Sequence, residues 1–487
     1  MWLRLSKTVR EEKSRLLLDR IRELSTEFYD WTKKDWAICS HYDADGLASA
    51  GILIRFLSEF NSHFTCRIVD KLSNDIISEI LELRSDVYVF LDLGSDRLDA
   101  IAKISKKGKV FVIDHHQIPP GGENVKNVDF INPELFGLDG GENGCTSILM
   151  SLIAYHAVKR KDPYYLKLGI VGAAGDLQLK DKLSGINEVV VREALKEGIL
   201  KKYKTFTFFK LVNSPIHKGI CWNFDSYIPG LTGEESVVIS LLTSADIKLR
   251  ENNEWRKIKD LTEEEKMLII EKIVEFISHR VGDINIKTSS FIETVYEFCD
   301  EENELLSTAD NFSSVLNACG RMNREDLALA ICIGVRSNSF LTKIGELLDN
   351  RRKTIRDSIL KLKEREIRKG HTVIMDGKGI IEDRLTGSIA TLISKSPLYR
   401  DNIILVMTES KQTEIKISVR APKDFANRNL NLGTVMRDLS LCFGGTGGGH
   451  RLAAGANIPI RNYGYEGLKQ KIIDEFVRRV EEIIGRS

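Results

Sequence analysis

Acidic residues and histidines follow four apolar segments in the first part of the chain. One apolar run, Val110–Ile113, leads directly into Asp114, His115 and His116. The other three segments lead into His41, Asp43 and Asp45, into Asp92, and into Asp176. One such triplet would favour a loop with satisfied polar groups, whereas four such segments favour one shared site.

The residue types define the chemistry of that site. Carboxylates combined with imidazoles suit Mn²⁺, with Mg²⁺ or Co²⁺ as substitutes, better than they suit structural zinc. Two divalent ions held roughly 3.5–4 Å apart can together cleave a phosphodiester bond. The eight cysteines are scattered without a CxxC pair, so the spacing of a zinc site is absent.

Short strands that alternate with helices are predicted to position these residues. The predicted strands are Ala37–Cys39, Cys66–Val69, Val87–Leu91 and Val110–Ile113, with a further short run at Val128–Ile131. The predicted helices between them are Gly46–Phe60, Asn74–Leu83 and Arg97–Lys103. This alternation predicts a mostly parallel sheet flanked by helices. Ligands bind at the carboxyl ends of such strands, where the acids and imidazoles fall.

Three local patterns predict structure, and the first two leave alternatives open. Asn143–Ser147 opens an apolar helix, and its small and hydroxyl residues suit an N-cap or, as an alternative, a bound phosphate. Lys201–Lys210 interleaves basic and aromatic residues, which favours a strand with one buried aromatic face over a nucleic-acid stacking surface. Thr262 and Glu265 form a capping box that predicts a helix over Glu263–His279.

The last part of the chain again alternates strands and helices. Arg351–Arg368 is predicted to be a charged linker helix, and Gly444–His450 a glycine-rich loop. The predicted strands are Thr372–Met375, Ile403–Met407 and Glu414–Val419, and the predicted closing helix is Tyr465–Ile484. Glycines in such a loop would let backbone N–H groups approach phosphate oxygens, although a glycine run alone is usually a mobile turn.

Length and composition set the outer bounds. With 487 residues, of which 42% are hydrophobic, two or three domains with sizeable cores are expected. The 71 Lys and Arg residues balance 70 Asp and Glu residues, so bulk charge gives no sign of nucleic-acid binding, although a basic cleft could be hidden. The charged N-terminus and the lack of a long apolar run predict a cytoplasmic protein with reduced thiols and no membrane contact.

Several motifs resemble one protein superfamily. The motifs HxDxDG, LDLG and DHH, with the glycine- and alanine-rich run before Asp176, resemble the four motifs of the DHH phosphoesterase superfamily. Gly444–Ala456, GGTGGGHRLAAGA, resembles the glycine-rich motif of the DHHA1 domain. Ile228–Leu261 and Leu316–Arg321, LNACGR, resemble archaeal RecJ-like proteins, including the GINS-associated nuclease.

The resemblance implies an architecture. It predicts an α/β DHH domain with a mostly parallel sheet over residues 1–210, and an inserted, mainly helical α/β domain over residues 211–349. A linker helix and a smaller α/β DHHA1 domain would follow over residues 350–487, across a cleft from the first domain.

The resemblance also implies residue roles. His41 and Asp43 would be ligands of one metal ion, and Asp45, His115 and Asp176 ligands of the other. Asp92 would bridge the two ions, Asp114 would orient an imidazole, and His116 would contact phosphate. In the last domain Arg420 and His450 would act on the substrate, which Ser418, Gly447, Gly448 and Gly449 would help to bind.

Three functions follow from these expectations. The first is a single-strand-specific exonuclease with two metal ions, which the RecJ-like resemblance implies acts 5′ to 3′ on DNA in replication or repair, with RNA left open. The second is a phosphoesterase of nanoRNA or other small nucleotides. The third is a replisome scaffold that binds GINS without catalysis, like the RecJ relative in the eukaryotic replicative helicase. Intact motifs favour an enzyme over a pure scaffold.

Overall fold

The protein, described by a computed structural model, is defined over residues 2–119, 121, 127–179, 183–223, 227–281, 288–422, 425, 428–461 and 464–485. Its contacts form two compact units, each built from two separate stretches of the chain. The first unit comprises Met1–Thr205 with Glu293–Leu348, and the second comprises Phe206–Ile292 with Asp349–Ser487. The domain boundaries predicted after residues 210 and 349 stay predictions.

The first stretch alternates strands with helices. Its strands are β1 (Trp36–His41), β2 (Phe64–Val69), β3 (Val87–Leu91), β4 (Lys109–Ile113), β5 (Asp129–Ile131) and β6 (Leu200–Phe206). Its helices are α1 (Trp2–Asp30), α2 (Ala44–Glu59), α3 (Asn74–Glu82), α4 (Leu98–Ile101), α5 (Thr146–Ala157), α6 (Tyr164–Gly175) and α7 (Gly185–Lys196). The predicted strands and helices are therefore present, with ends that differ by a few residues.

Five of these strands form a parallel sheet in the order β2-β1-β3-β4-β5. Ile38 lies opposite Val89, and Val89 lies opposite Phe111, so the three central strands are in close register. The predicted parallel sheet flanked by helices is confirmed. Because the strands are parallel, their carboxyl ends meet at one edge of the sheet.

Both faces of this sheet are buried, as an all-parallel sheet requires. Side chains of one parity, including Ile38, Val89 and Phe111, pack under α1, α2, α5 and α6. Side chains of the other parity, including Tyr88 and Val112, pack against α3 and α4. Burial of each such side chain contributes about 1.5–3 kcal/mol, so the strand ends lie on a rigid support.

The next stretch is mainly helical. It contains α8 (Ile216–Cys221), α9 (Glu235–Ser244), the short hairpin β7 (Arg250–Glu251) and β8 (Glu254–Trp255), and α10 (Glu263–Val281). The predicted capping box at the start of α10 is confirmed. The Thr262 N–H donates to Glu265 Oε2 at 2.9 Å, and the Glu265 N–H donates to Thr262 Oγ1 at 3.2 Å.

The chain then returns to the first unit before it enters the second unit again. It forms β9 (Ile292–Phe298), α11 (Ala309–Arg321), α12 (Glu325–Cys332) and α13 (Asn338–Lys363). Strand β9 pairs with β6, so Lys201–Lys210 does begin as a strand. The linker helix predicted over Arg351–Arg368 instead starts earlier and ends at Lys363. It ends there because Glu366–Lys369 pairs with the strand that follows.

The last stretch contains a six-stranded mixed sheet. Its elements are β10 (Glu366–Lys369), β11 (Thr372–Asp376), α14 (Thr386–Ser394), β12 (Ile403–Ser410), β13 (Glu414–Arg420), α15 (Leu432–Cys442), β14 (Thr446–Gly449), β15 (Ala453–Pro459) and α16 (Gly464–Ile484). The strand order is β10-β11-β12-β13-β15-β14. Within the described ranges, no helix has the length and apolarity that a membrane crossing needs.

Candidate metal centre

The predicted ligands of the first segment lie where β1 meets α2. His41 ends β1, and Asp43 is the N-cap of α2, accepting a hydrogen bond from the Gly46 N–H at 3.1 Å. His41 Nδ1 lies 3.0 Å from Asp43 Oδ2 and 3.3 Å from Asp92 Oδ2. Asp92 follows β3, the neighbouring strand, so the sheet edge brings these three side chains together.

The second group of predicted ligands surrounds His115. Its Nε2 lies 3.2 Å from Asp176 Oδ2, 3.3 Å from Asp92 Oδ1 and 3.8 Å from Asp45 Oδ2. Its Nδ1 lies 2.8 Å from the carbonyl oxygen of Gly140, which can only accept a hydrogen bond. The proton therefore belongs on Nδ1, and in the neutral ring Nε2 carries a lone pair that faces the carboxylates.

Asp45 is fixed by the start of α5. Its Oδ2 accepts a hydrogen bond from the Thr146 N–H at 2.8 Å, and its Oδ1 accepts one from the Ser147 N–H at 2.9 Å. The prediction that residues 143–147 cap this helix themselves is wrong, because Cys145 stands at the N-cap without a side-chain hydrogen bond. A phosphate could not use these two amides, since a carboxylate already occupies them.

Small residues permit this close packing. A Cβ on Gly172 of α6 would lie 2.0 Å from Ser147 Oγ and 2.7 Å from Asp45 Oδ1. Asp176 immediately follows α6 as its C-cap residue. The glycine- and alanine-rich run before Asp176 thus forms a helix that approaches the site closely.

Asp114 organises the histidines without facing the centre. Its Oδ2 accepts from the Ser95 N–H, and its Oδ1 accepts from the His115 N–H, both at 2.8 Å. The same Oδ1 lies 2.8 Å from His116 Nδ1. Burial by itself would lower the pKa of His116, but the effect of the Asp114 carboxylate is larger and raises that pKa to about 9. Asn132 completes the support by donating to Ser95 Oγ and to the His116 carbonyl oxygen.

The arrangement of acceptors fits divalent cations. In the described part of the chain, neither Asp92 Oδ1 nor Asp176 Oδ2 receives a hydrogen bond, although both atoms are buried. The described residues include three groups of ligand atoms within metal-binding reach of one another, and Asp92 belongs to two of them. Buried carboxylate oxygens without donors are costly unless a cation pairs with them. Asp92 also has a strained φ of 60°, which is typical of functional sites.

Electrostatics point the same way. Burial by itself would lower the pKa of His41 and His115, but neighbouring carboxylates outweigh it and raise both pKa values well above their usual range. Burial raises the pKa of Asp92, and the surrounding carboxylates raise it further. The carboxylates therefore favour positive charge at this position, whether as a proton on an imidazole or as a bound cation.

Cys145 is a neighbour that the sequence did not indicate. Its Sγ and one carboxylate oxygen each from Asp45 and Asp176 lie within 4.8 Å of one another. Burial raises the pKa of this thiol well above its usual value, which disfavours the thiolate. Gly140 was also missed, because nothing in the sequence links its carbonyl oxygen to His115 across the intervening loop.

In the second unit, Ser418 and Arg420 lie on β13 and already make internal contacts. The buried Ser418 hydroxyl donates to Thr386 Oγ1 at 3.0 Å. Arg420 Nε donates to Thr391 Oγ1 at 2.9 Å, and Nη1 donates to the Val419 carbonyl oxygen at 2.9 Å. Their predicted contacts with substrate stay predictions.

The sequence predicted a loop over Gly444–His450. The structure instead has an edge strand, β14, over Thr446–Gly449 of that segment. Gly447 lies opposite Ala456 and Gly448 opposite Gly455 of β15. The close packing of this strand against α15 requires glycine at position 447, since a Cβ there would lie 2.6 Å from the Met436 carbonyl oxygen. The turn after β14 contains the exposed His450, whose N–H donates to the Ala453 carbonyl oxygen at 2.8 Å. The proposed phosphate contacts of Gly449 and His450 remain predictions.

Family models match three parts of the chain. The N-terminal domain of the DHH family matches residues 36–172, the DHH-CID domain matches residues 209–288, and the DHHA1 domain matches residues 378–486. The chain therefore belongs to the DHH superfamily, as its motifs predicted. An uncharacterized protein of Methanocaldococcus jannaschii is 28% identical over 461 residues, which cover 92% of this chain and 93% of that protein.

Solved structures place the fold within this superfamily as RecJ-like. RecJ of Thermus thermophilus in complex with Mn²⁺ matches 95% of this chain with a TM-score of 0.58 and 16% identity, and the match spans only 55% of that RecJ. An exonuclease RecJ bound to manganese matches with a TM-score of 0.55 and 16% identity over 94% of each chain. CDC45 from Entamoeba histolytica matches with a TM-score of 0.57 and 10% identity over 97% and 99% of the two chains.

Proposed function

We propose that the protein is a metal-dependent exonuclease that hydrolyses phosphodiester bonds of single-stranded nucleic acid, with DNA cleaved 5′ to 3′ as the favoured substrate. The observation that carries the proposal is the convergence of buried carboxylate oxygens of Asp92 and Asp176 on His115 Nε2, at 3.3 and 3.2 Å. Carboxylate oxygens and one imidazole at such distances make a ligand set for Mn²⁺, with Mg²⁺ or Co²⁺ as substitutes.

One proposed ligand set, His41 and Asp43 with Asp92, is also one of the three groups within metal-binding reach. The other set is taken from the resemblance and from the carboxylates that surround His115. His41 and Asp43 would hold one ion, and Asp45, His115 and Asp176 the other, with Asp92 shared because it faces both groups. Divalent ions at these positions would neutralise the phosphate and lower the pKa of a bound water. The chain's own part is orientation: Gly140 fixes the ring of His115, and the α5 amides fix Asp45.

Asp114 and His116 would act beside the ions. Because the pKa of His116 is raised to about 9, its imidazole is protonated at neutral pH. A half-exposed imidazolium can donate a hydrogen bond to a phosphate oxygen, and Asp114 would keep its ring in place. In the DHHA1 domain, Arg420 and His450 would contact the phosphates of the strand, with Ser418 and the glycines of β14 shaping that surface.

Two other functions share parts of this evidence. A phosphoesterase of nanoRNA or another small nucleotide would need the same ligand set. A scaffold in DNA replication, which could bind GINS, is favoured by one observation, the likeness in fold to CDC45. The complete set of His41, Asp43, Asp45, Asp92, His115 and Asp176 favours an enzyme, because a scaffold gains nothing from so many carboxylates in close contact.

End-labelled strands test the proposal. The full chain with Mn²⁺ is incubated with single strands of DNA and RNA labelled at the 5′ or the 3′ end, with duplex DNA and with dinucleotides, and the products are followed over time. We expect mononucleotides to leave from the 5′ end of DNA, while duplex DNA stays intact. Hydrolysis of dinucleotides alone would move the assignment to the small-nucleotide enzyme, and no hydrolysis of any substrate would favour the scaffold.

A further inference from the structure

The stretch from Glu293 to Leu348 is part of the first unit, although it lies outside the DHH match and between the DHH-CID and DHHA1 matches. Its strand β9 pairs with β6. The buried Lys167 of α6 binds Asp300 at 2.5 Å and Glu301 at 3.2 Å in this stretch. The sequence predicted an inserted domain here and assigned no catalytic residue to it. The structure instead places this stretch in the unit that contains the candidate metal centre.

Helix α11 of this stretch lies directly against the turn that carries the first three predicted ligands. A Cβ on Gly320 would lie 1.8 Å from the carbonyl oxygen of Tyr42, so only glycine permits this approach. Three residues earlier, Asn317 Oδ1 accepts a hydrogen bond from the Ala44 N–H at 3.2 Å. Tyr42 lies between the predicted ligands His41 and Asp43 in the sequence, and Ala44 lies between Asp43 and Asp45.

The hydrogen bond that Asn317 accepts satisfies the Ala44 N–H, for which the turn itself has no partner within the helix. The first N–H groups of a helix have no partner within that helix. At the start of α2, Asp43 accepts from the Gly46 N–H, and the side chain of Asp45 is bound to α5. Asn317 accepts from another of these amides, the Ala44 N–H, which lies between two predicted ligands.

The same side chain also lies near the last predicted ligand. A Cβ on Gly175, the residue before Asp176, would lie 3.6 Å from Asn317 Nδ2. One amide group thus contacts Ala44 and approaches Gly175, the neighbours of ligands that belong to both proposed metal positions. The motif LNACGR, whose sequence alone assigned no role, places Asn317 and Gly320 one helical turn apart on this face.

We infer that Asn317 is a positioning residue of the metal centre, supplied by a stretch of chain remote in sequence from the DHH motifs. This inference rests on the proposed metal-dependent function. Residues that orient metal ligands without touching the ion typically change metal affinity about 10–100-fold when they are replaced. Asn317 should behave in this way, because it fixes the turn between Asp43 and Asp45.

Calorimetric titration of the full chain with Mn²⁺ tests the inference. Asn317→Ala should weaken Mn²⁺ affinity about tenfold or more, and Asn317→Asp should restore it because a carboxylate oxygen replaces the amide oxygen as acceptor. Ser314→Ala, on the exposed side of the same helix, is the matched control and should bind like the wild type. Thermal unfolding without Mn²⁺ is measured beside each titration.

The outcomes separate the two proposals. Weaker binding by Asn317→Ala at an unchanged unfolding temperature, with rescue by Asn317→Asp, supports the positioning role. Wild-type affinity in Asn317→Ala overturns it, and so does a lowered unfolding temperature with unchanged affinity, which would make Asn317 only a structural contact. If the wild type itself does not bind Mn²⁺, the proposed function fails, and the inference that rests on it fails too.

Discussion

Asp92 is the residue on which the proposed chemistry depends most. Its side chain is 1% exposed, its backbone φ lies in the left-handed region, and its Oδ1 has no hydrogen-bond donor in the described part of the chain. Each of these features costs stability in a protein without bound cations. Such costs are typical of residues that are kept for function, and a metal ion on each side of the carboxylate would offset them.

Replacing this carboxylate should therefore separate function from stability. Asp92→Asn should abolish Mn²⁺-dependent hydrolysis, because neither proposed ion keeps its shared ligand. In metal-free buffer at neutral pH it should raise the free energy of unfolding by about 1–3 kcal/mol, the usual cost of an unsatisfied buried group. Single-turnover rates and chemical unfolding measure the two effects. Asp96→Asn, which removes an exposed carboxylate nearby, is the control, and normal turnover in Asp92→Asn would contradict the proposed bridge.

At this scale the sequence predicted which side chains gather but not what holds them. His41, Asp92 and His115 could be predicted because the end of each apolar run in the sequence marks the carboxyl end of a strand. The contacts of Gly140 and Asn317 could not be predicted. No sequence pattern indicates which backbone carbonyl oxygen or which single helical amide will lie beside the site after folding.

At the scale of elements, β14 shows how backbone geometry restrains a glycine run. The sequence predicted a loop because a glycine run alone is usually a mobile turn. The segment instead pairs with β15 and packs against α15, and Gly447 permits this packing because it lets the Met436 carbonyl oxygen approach. Gly448 is different, because a Cβ added there would meet nothing within 4 Å.

This contrast provides a matched pair of variants. Gly447→Ala should destabilise the protein by about 1–3 kcal/mol, the usual cost of overpacking, whereas Gly448→Ala should unfold like the wild type. If the strand also contacts substrate, Gly448→Ala should raise the KM for single-stranded DNA while the fold is intact. Thermal unfolding with steady-state kinetics checks both, and equal stability of the two variants would show that the packing against α15 is not restrictive.

At the scale of the whole molecule, the chain crosses between its two units more often than the sequence indicated. Periodicity predicted the parallel sheet, because each of its strands is contiguous and apolar. It could not predict that Glu293–Leu348 returns to the first unit, because the pairing of β6 with β9 joins segments that are distant in the sequence. Pairings between distant segments leave no local pattern, so the role of α11 emerges only from the structure.

The central claim is that Asp92 joins two cation positions at the carboxyl edge of the sheet. Anomalous diffraction at the manganese absorption edge, from crystals of the full chain soaked in Mn²⁺, tests it most directly. The account predicts two anomalous peaks on either side of Asp92, one beside His41 and Asp43 and the other beside His115 and Asp176. A map without peaks at this edge of the sheet, or with manganese bound only elsewhere, would contradict it.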